Sequence, residues 1–437
     1  MTLVIVIAGI LLLFLLIAGL KLNSFLSFIL VCLFVGILQG MEPLAIVTSI
    51  QTGIGNTLGF LVLILGLGAM LGKLVADSGA AQRITTKLVA TFGIKNVQWA
   101  VVLTGFIVGI PMFYSVGFVI LVPLVFTVAA TTRLPLLYVG LPMLTSLSVT
   151  HGYLPPHPAP TAIVTMFGAD FGKTLMYGLI VAIPAIIVGG PLFARTLKNV
   201  EAKPLAKFYN AQVLTDEEMP KTAVSLFTAL FPIILIFIAI GAEQFLADGI
   251  LKTILVFLGN PVMAMLLAVL LAIYTLGIRQ GKSMSEVMET AVEGVVGITM
   301  ILLVIGGAGA LKQVLIDSGV SDYIADLLKE SSVSPIILAW MIATAIRVCV
   351  GSATVAGLTA AGIVLPLASS TGVSAELLVL AIGSGSLMLS HVNDAGFWLF
   401  KEYFNLSIKQ TLRTWTVMET LVGIMGLLGT LVLDQFI

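Results

Sequence analysis

Charge is what this chain has least of. Only 10% of its 437 residues are Asp, Glu, Lys or Arg, against roughly 25% in soluble domains. Basic and acidic residues balance at 21 each, so there is no charge excess to attract nucleic acid or an anionic surface. Cysteine is equally scarce: Cys32 and Cys349 both stand in apolar runs, which argues against a disulfide framework and for inert thiols in packed helices. No HExxH or Walker motif occurs, so the signatures of a zinc protease and of an ATP-driven pump are missing. The first run, Met1 to Lys21, has neither a basic n-region nor a small-residue cleavage site and is read as a retained span.

Apolar residues fill the space that charge leaves. They make up 59% of the chain and the mean hydropathy is +1.16, the composition of an all-α polytopic membrane protein. Runs of about 20 residues, enough to cross a bilayer, fall near 2–20, 23–41, 54–76, 174–195, 222–246, 253–278, 294–316 and 411–434. Amphipathic stretches at 77–95 and 283–293 suggest helices lying at the interface. The apolar regions 97–131, 134–166, 334–369 and 374–400 are broken by glycine and proline, a pattern that suits broken helices and re-entrant hairpins. Trp99, Trp340 and Trp415 have the look of interface anchors.

An internal repeat organises these pieces. GLGAMLGKLVADSG (66–79) matches GGAGALKQVLIDSG (306–319), pairing Asp77 with Asp317 at an offset of 240 (317 − 77). His151 pairs with His391 at the same offset (391 − 151). Lys and Arg cluster after the first matched segment and Asp and Glu after the second, so the bias of basic residues toward cytoplasmic loops makes the halves inverted. Two inverted-topology repeats with discontinuous helices are a hallmark of secondary transporters. The expected division is 1–197 for the first repeat, a cytoplasmic connecting loop at 198–221, and 222–437 for the second.

Polar chemistry concentrates at the breaks. HGYLPPHPAPT (151–161) holds His151 and His157 among prolines that cannot stay helical, so it is read as the lining of an aqueous site. Its counterpart, SHVNDAGFWLFKEYFN (390–405), brings His391, Asn393 and Asp394 together. Ionisable groups at membrane depth mark ion pathways or substrate sites by default. Asp394 is the leading candidate for proton or cation coupling, followed by His391. RVCVGSATVAG (347–357) offers Arg347 as a clamp for a carboxylate and Gly351, Ser352 and Thr354 at a helix start that would attract an anion. In GIPMFYSVGF (109–118), Tyr114 and Ser115 supply hydroxyls that suit a polyol. For each of these residues a packing role competes: snorkelling for Arg347, and close helix contact for the small residues.

Together, GAMLGKLVADSGAAQRI, LSVTHGYLPPHPAPTAI, RVCVGSATVAG and SHVNDAGFWLFKEYFNL resemble the gluconate:proton symporter family of bacterial inner membranes, nearly end to end. HPAPTAI and the NDAGFWLFKEYFN run place the resemblance with the gluconate and idonate branch rather than the D-serine branch. It implies uptake of gluconate or a related sugar acid with protons. It also implies an ion-transporter-superfamily-like fold of two inverted repeats in which HGYLPPHPAPT and SHVNDAGFW face the substrate. Two positions depart from the family pattern as it is usually seen: Ser115 stands where relatives carry an acidic residue, and Ala395 where they tend to have proline. If that acid carries the coupling proton, the present chain must use another group, such as Asp394 or a histidine.

The expected function is therefore secondary active transport of a hydroxylated monocarboxylate, with L-idonate, glycerate and D-serine as alternative cargo. A channel and an intramembrane hydrolase using Ser384 or Ser386 with His391 are the competing classes. No metal site or cofactor is expected beyond the coupling ion, proton or sodium. The expected partners are the substrate, the lipid bilayer and, as the one protein partner considered, a second copy of the chain.

Overall fold

The computed structural model describes residues 2–112, 114–203, 214–320, 323, 333–370, 372–392 and 394–437. Among them every regular element is a helix. The first half contains α1 (Thr2–Phe14), α2 (Ser24–Leu38), α3 (Pro43–Asp77), α4 (Ala80–Phe92), α5 (Val97–Gly109), α6 (Tyr114–Thr132), α7 (Leu136–Tyr153), α8 (Pro158–Phe167) and α9 (Phe171–Thr196). The second contains α10 (Thr222–Phe245), α11 (Ile250–Gly259), α12 (Pro261–Gln280), α13 (Met284–Val296), α14 (Thr299–Asp317), α15 (Pro335–Val350), α16 (Ala353–Ser370), α17 (Ala375–Gly385), α18 (Ala395–Tyr403) and α19 (Ile408–Leu433).

Local chemistry sets many of these boundaries. Proline opens α3, α8, α12 and α15, where its missing N–H costs nothing. Asn23, Asp170 and Asn260 cap their helices by accepting backbone N–H groups, and Ser283 with Glu286 forms a reciprocal capping box. The Asn260–Pro261 start also corrects one expectation: 253–278, read as a single span, is two helices that meet at this cap. Cys32 is buried as expected, whereas Cys349 is exposed.

Five helices, α9, α10, α12, α14 and α19, are each long and apolar enough to cross a membrane. Two bent pairs also qualify when taken as units: the arms of α3, which meet at 46°, and α4 with the segment ending α5, which meet at 112°. The chain is thus a multi-pass membrane protein.

The repeat is visible in the element boundaries. Helix starts recur between the halves at nearly constant spacing, from α2 and α12 (261 − 24 = 237) through α6 and α16 (353 − 114 = 239) to α9 and α19 (408 − 171 = 237). Both α3 and α14 end at the matched aspartates and turn at Gly79 and Gly319, with φ of 78° and 73°. Only glycine enters that left-handed region without strain. Packing between the halves is reciprocal as well. A Cβ at Gly53 of α3 would lie 2.4 Å from Gly309 O of α14, and one at Gly294 of α13 would lie 2.5 Å from Ala69 O of α3. Ala69 and Gly309 are 240 residues apart (309 − 69) and Gly53 and Gly294 are 241 apart (294 − 53), so the two close contacts join positions that nearly match in the sequence repeat.

A polar clamp fastens the connecting segment to α4. Arg83 Nη1 meets Asp216 Oδ1 at 2.8 Å, its Nε donates to Pro220 O at 2.9 Å, and its Nη2 donates to Asp216 O. Gln82 exchanges two hydrogen bonds with the Leu214 backbone, at 2.9 and 3.1 Å. Beside it, the Thr215 amide and hydroxyl hold the Glu218 carboxyl below its ordinary range. Because Asp216 is exposed, most of the hold comes from the carbonyl contacts rather than the ion pair. Arg83→Ala is expected to speed limited proteolysis of this segment about tenfold, the equivalent of about 1.4 kcal/mol of local opening. Unchanged cleavage on a gel time course would show that the segment is held elsewhere.

Candidate functional site

Each half interrupts an apolar helix at the same point. In the second half α15 stops at Val350, Gly351 turns the backbone at φ 80°, and α16 starts at Ala353. In the first, α5 stops at Gly109 and α6 starts at Tyr114. Tyr114 and Thr354 stand 240 residues apart (354 − 114), and both line a cavity of about 370 Å³. The two breaks therefore meet at one place. Ser148 and His151 of α7, Arg347 of α15, Ser352, Asp394 and Gly396 at the head of α18, and Trp415 and Glu419 of α19 complete its polar wall.

The geometry is electrostatically uneven. Arg347 is 2% exposed, and its Nη2 meets Asp394 Oδ2 at 2.6 Å. Asp394 also accepts from the Ser390 hydroxyl and from the Gly396 N–H at 3.1 Å. Trp415 Nε1 in turn donates to Ser390 Oγ at 2.7 Å. This carboxylate is thus held from three sides. On the facing helix, Glu419 is also 2% exposed; Ser148 Oγ donates to its Oε1 at 2.7 Å, and its Oε2 has no partner. The Nε and Nη1 of Arg347, the Tyr114 hydroxyl and His151 Nδ1 lack hydrogen-bond partners as well.

Buried polar groups left unpaired cost about 1–3 kcal/mol each, so a cluster of them around one cavity is a surface shaped for polar cargo. Cationic N–H groups at one end suit a carboxylate, and hydroxyls along the wall suit a polyol. Bond-breaking chemistry has no such support. The Ser384 and Ser386 hydroxyls, offered above as nucleophiles, donate to Ala381 O at 3.0 Å and Gly383 O at 2.8 Å within their own helix turns.

The residues singled out from sequence separate into groups. Tyr114, His151, Arg347, Gly351, Ser352, Thr354 and Asp394 all line the cavity. His157 does not: it is 3% exposed and its Nε2 lies 2.9 Å from Gly109 O, so it braces the junction of α7 and α8 against the end of α5. His391 is half-buried, has an unpartnered Nδ1 and stands outside the cavity wall. Asn393 and the Ser115 side chain lie outside the described residues. Of HGYLPPHPAPT only His151 reaches the cavity, since the segment from Gly152 to Thr161 is packed into protein. Trp415, expected at the interface, is instead 2% exposed, lies 6.0 Å from Tyr114 ring to ring, and belongs to the site. Glu419 and Ser148 went unremarked in the sequence. The signal was there for Glu419, an isolated acid in the apolar run WTVMETLVG, where burial of a charge marks function by default.

Comparison with known proteins agrees with this architecture. The profile of the GntP family permease matches residues 1–437. The chain is 54% identical to the high-affinity gluconate transporter of Escherichia coli K12, with 100% of both chains covered. It is 51% identical to the Gnt-II system L-idonate transporter of the same organism, covering 99% of each. With the gluconate permease of Bacillus subtilis 168 it shares 48% identity over 98% of each. In fold it is similar to the YdaH transporter of Alcanivorax borkumensis, at a TM-score of 0.67 and 18% identity over 94% of this chain and 97% of the other. It is likewise similar to MtrF of Neisseria gonorrhoeae, at 0.67 and 15% over 93% of each. A family match along the whole length and relatives at about half identity that span both chains leave one conclusion: this chain belongs to the GntP family of permeases.

Proposed function

We propose that this permease imports gluconate or a closely related sugar acid by proton symport, alternating its access to a single site between the two faces of a bacterial inner membrane. The observation that carries the reading is the cavity itself. Two unpartnered nitrogens of buried Arg347 stand at one end for a carboxylate, and Tyr114, Ser148, Ser352 and Thr354 surround them with hydroxyls for a polyol. The relatives named for gluconate and L-idonate transport supply the cargo class. In this reading Tyr114, His151, Arg347, Gly351, Ser352 and Thr354 contact substrate, and Asp394 holds Arg347 in its binding pose.

The halves, 1–197 and 222–437, act as inverted repeats whose breaks form re-entrant elements, joined by 198–221 on the cytoplasmic side. Support comes from the recurring helix starts and from the opposite charge bias of the matched loops. Rocking of one repeat against the other around a fixed site is the usual form of alternating access.

The test is uptake of labelled gluconate into cells expressing the carrier, at several external pH values, with and without an uncoupler. Uptake is expected to rise as external pH falls and to collapse when the uncoupler is added. Unlabelled L-idonate should compete, and glycerate and D-serine should compete weakly. Uptake that follows a sodium gradient and ignores the uncoupler would replace the proton in this scheme. Flux without counterflow in proteoliposomes would make the protein a channel.

A further inference from the structure

We propose that Glu419, rather than Asp394, is the group that carries the coupled proton. The inference rests on the proton-symport reading above and adds to it the residue and the reason for coupling. Two carboxyls face the cavity, and their surroundings differ in kind. Asp394 lies 2.6 Å from a guanidinium nitrogen and accepts two further hydrogen bonds. Protonating it would leave the Arg347 charge buried and unpaired, at a cost that buried pairs impose when broken. Among the described residues no cation lies within hydrogen-bond distance of Glu419. Its Oε1 accepts from Ser148 at 2.7 Å and its Oε2 is buried without a partner. An ionised carboxylate in that setting is poorly compensated, whereas a carboxylic acid needs only the Ser148 donor and a polar contact at Oε2.

The charges acting on Glu419 are Arg347 and Asp394. Around it stand Tyr114, His151 and Tyr153, the last donating its hydroxyl to Val422 O one turn along α19. Of the helices packed on α19, α15 brings Arg347, α18 is headed by Asp394 and α7 brings His151, whereas α9 and α17 contribute no charge to it. The Arg347–Asp394 pair is neutral as a unit, so an incoming carboxylate adds a full negative charge to the cavity. With Glu419 ionised that charge meets a like charge inside one cavity of about 370 Å³. With Glu419 protonated it does not. Proton and substrate therefore favour each other's binding, and the effect is reciprocal, typically about 5- to 150-fold. In the cycle an O–H bond forms at Oε2 with a proton from external water. That bond breaks after the site turns inward, returning the carboxylate and releasing the proton to cytoplasmic water.

The experiment uses the purified full-length carrier in proteoliposomes with labelled gluconate, comparing counterflow with accumulation driven by an imposed pH gradient. In the native carrier, counterflow should vary with pH and the gradient should drive accumulation. In Glu419→Gln, the counterflow that remains should lose its pH dependence from about pH 5.5 to 8.5, and the ratio of gradient-driven accumulation to counterflow should fall at least about tenfold. A Glu419→Gln carrier that still accumulates gluconate with a pH gradient overturns the proposal and leaves proton symport standing. A native carrier that accumulates with a sodium gradient alone overturns both. Should Glu419→Gln fail to reconstitute, Ser148→Ala decides: loss of the donor to Oε1 must move the pH midpoint of counterflow by about half a unit or more. An unmoved midpoint in a folded Ser148→Ala carrier sinks the assignment.

Discussion

Arg347→Ala is expected to abolish gluconate transport, and Arg347→Lys to weaken substrate binding by about 10- to 100-fold. The second figure follows from the worth of a hydrogen bond to a charged group, about 1.5–3 kcal/mol. Lysine keeps the charge and loses the planar fork that meets both a carboxylate and Asp394. In the alanine variant a second loss is added. Asp394 keeps its Ser390 and Gly396 donors but has no cation, and breaking a buried pair on one side costs about 3–5 kcal/mol. The two losses can be told apart. Adding Asp394→Asn to Arg347→Ala removes the stranded charge, so thermal stability in detergent should recover while transport stays absent. Gluconate-induced thermal stabilisation of the purified variants reads binding directly. If Arg347→Ala binds gluconate as tightly as the native protein, the guanidinium is structural and the cargo carboxylate sits elsewhere.

The second large effect is expected at Gly383, which carries no side chain at all. Here α17 crosses α7 so closely that a Cβ at Gly383 would lie 2.4 Å from Gly152 O. Neither atom can rotate away, because the oxygen belongs to the backbone and the Cβ is fixed directly by it. Gly383→Ala should therefore force α7 and α17 apart, at a cost of about 1–3 kcal/mol or more for overpacking. The shift would reach transport, since His151 precedes Gly152 and Leu387, four residues past Gly383, lines the same cavity. A control comes from within the chain. A Cβ at Gly55 meets nothing within 4 Å, so Gly55→Ala should leave stability level or raise it by the helix preference of alanine, about 0.5–1 kcal/mol. Thermal unfolding of the two variants side by side measures the difference. Equal stabilities would show that the crossing relaxes without loss.

The site is partly legible in the sequence alone. Tyr114, Arg347, Ser352, Thr354 and Asp394 were found because each sits at a break in an apolar run or beside one, and breaks leave marks in sequence as glycine, proline and hydroxyl residues. His157 carried the same marks but serves packing. Its neighbour Gly109 belongs to a different break, 48 residues earlier, and no local pattern records that contact. Trp415 was misplaced for a related reason, since an aromatic near the end of a span looks alike whether it faces lipid headgroups or Ser390.

What the sequence determined by itself follows from local physics: a charge-poor chain that must span a bilayer, helix starts written by proline and capping residues, and a repeat at an offset of 240 residues carried by matched motifs. What only the tertiary structure decided is which polar groups satisfy one another. Asp394 and Arg347 are 47 residues apart, and Glu419 and Ser148 are 271 apart; they meet because helices from both halves converge on the two breaks. Before that convergence the sequence favours Asp394, which stands at a break, over Glu419, an isolated acid in an unbroken apolar run. After it, one is compensated by a guanidinium and the other is not. That difference arises from packing alone, because the cost of a buried charge depends on what surrounds it.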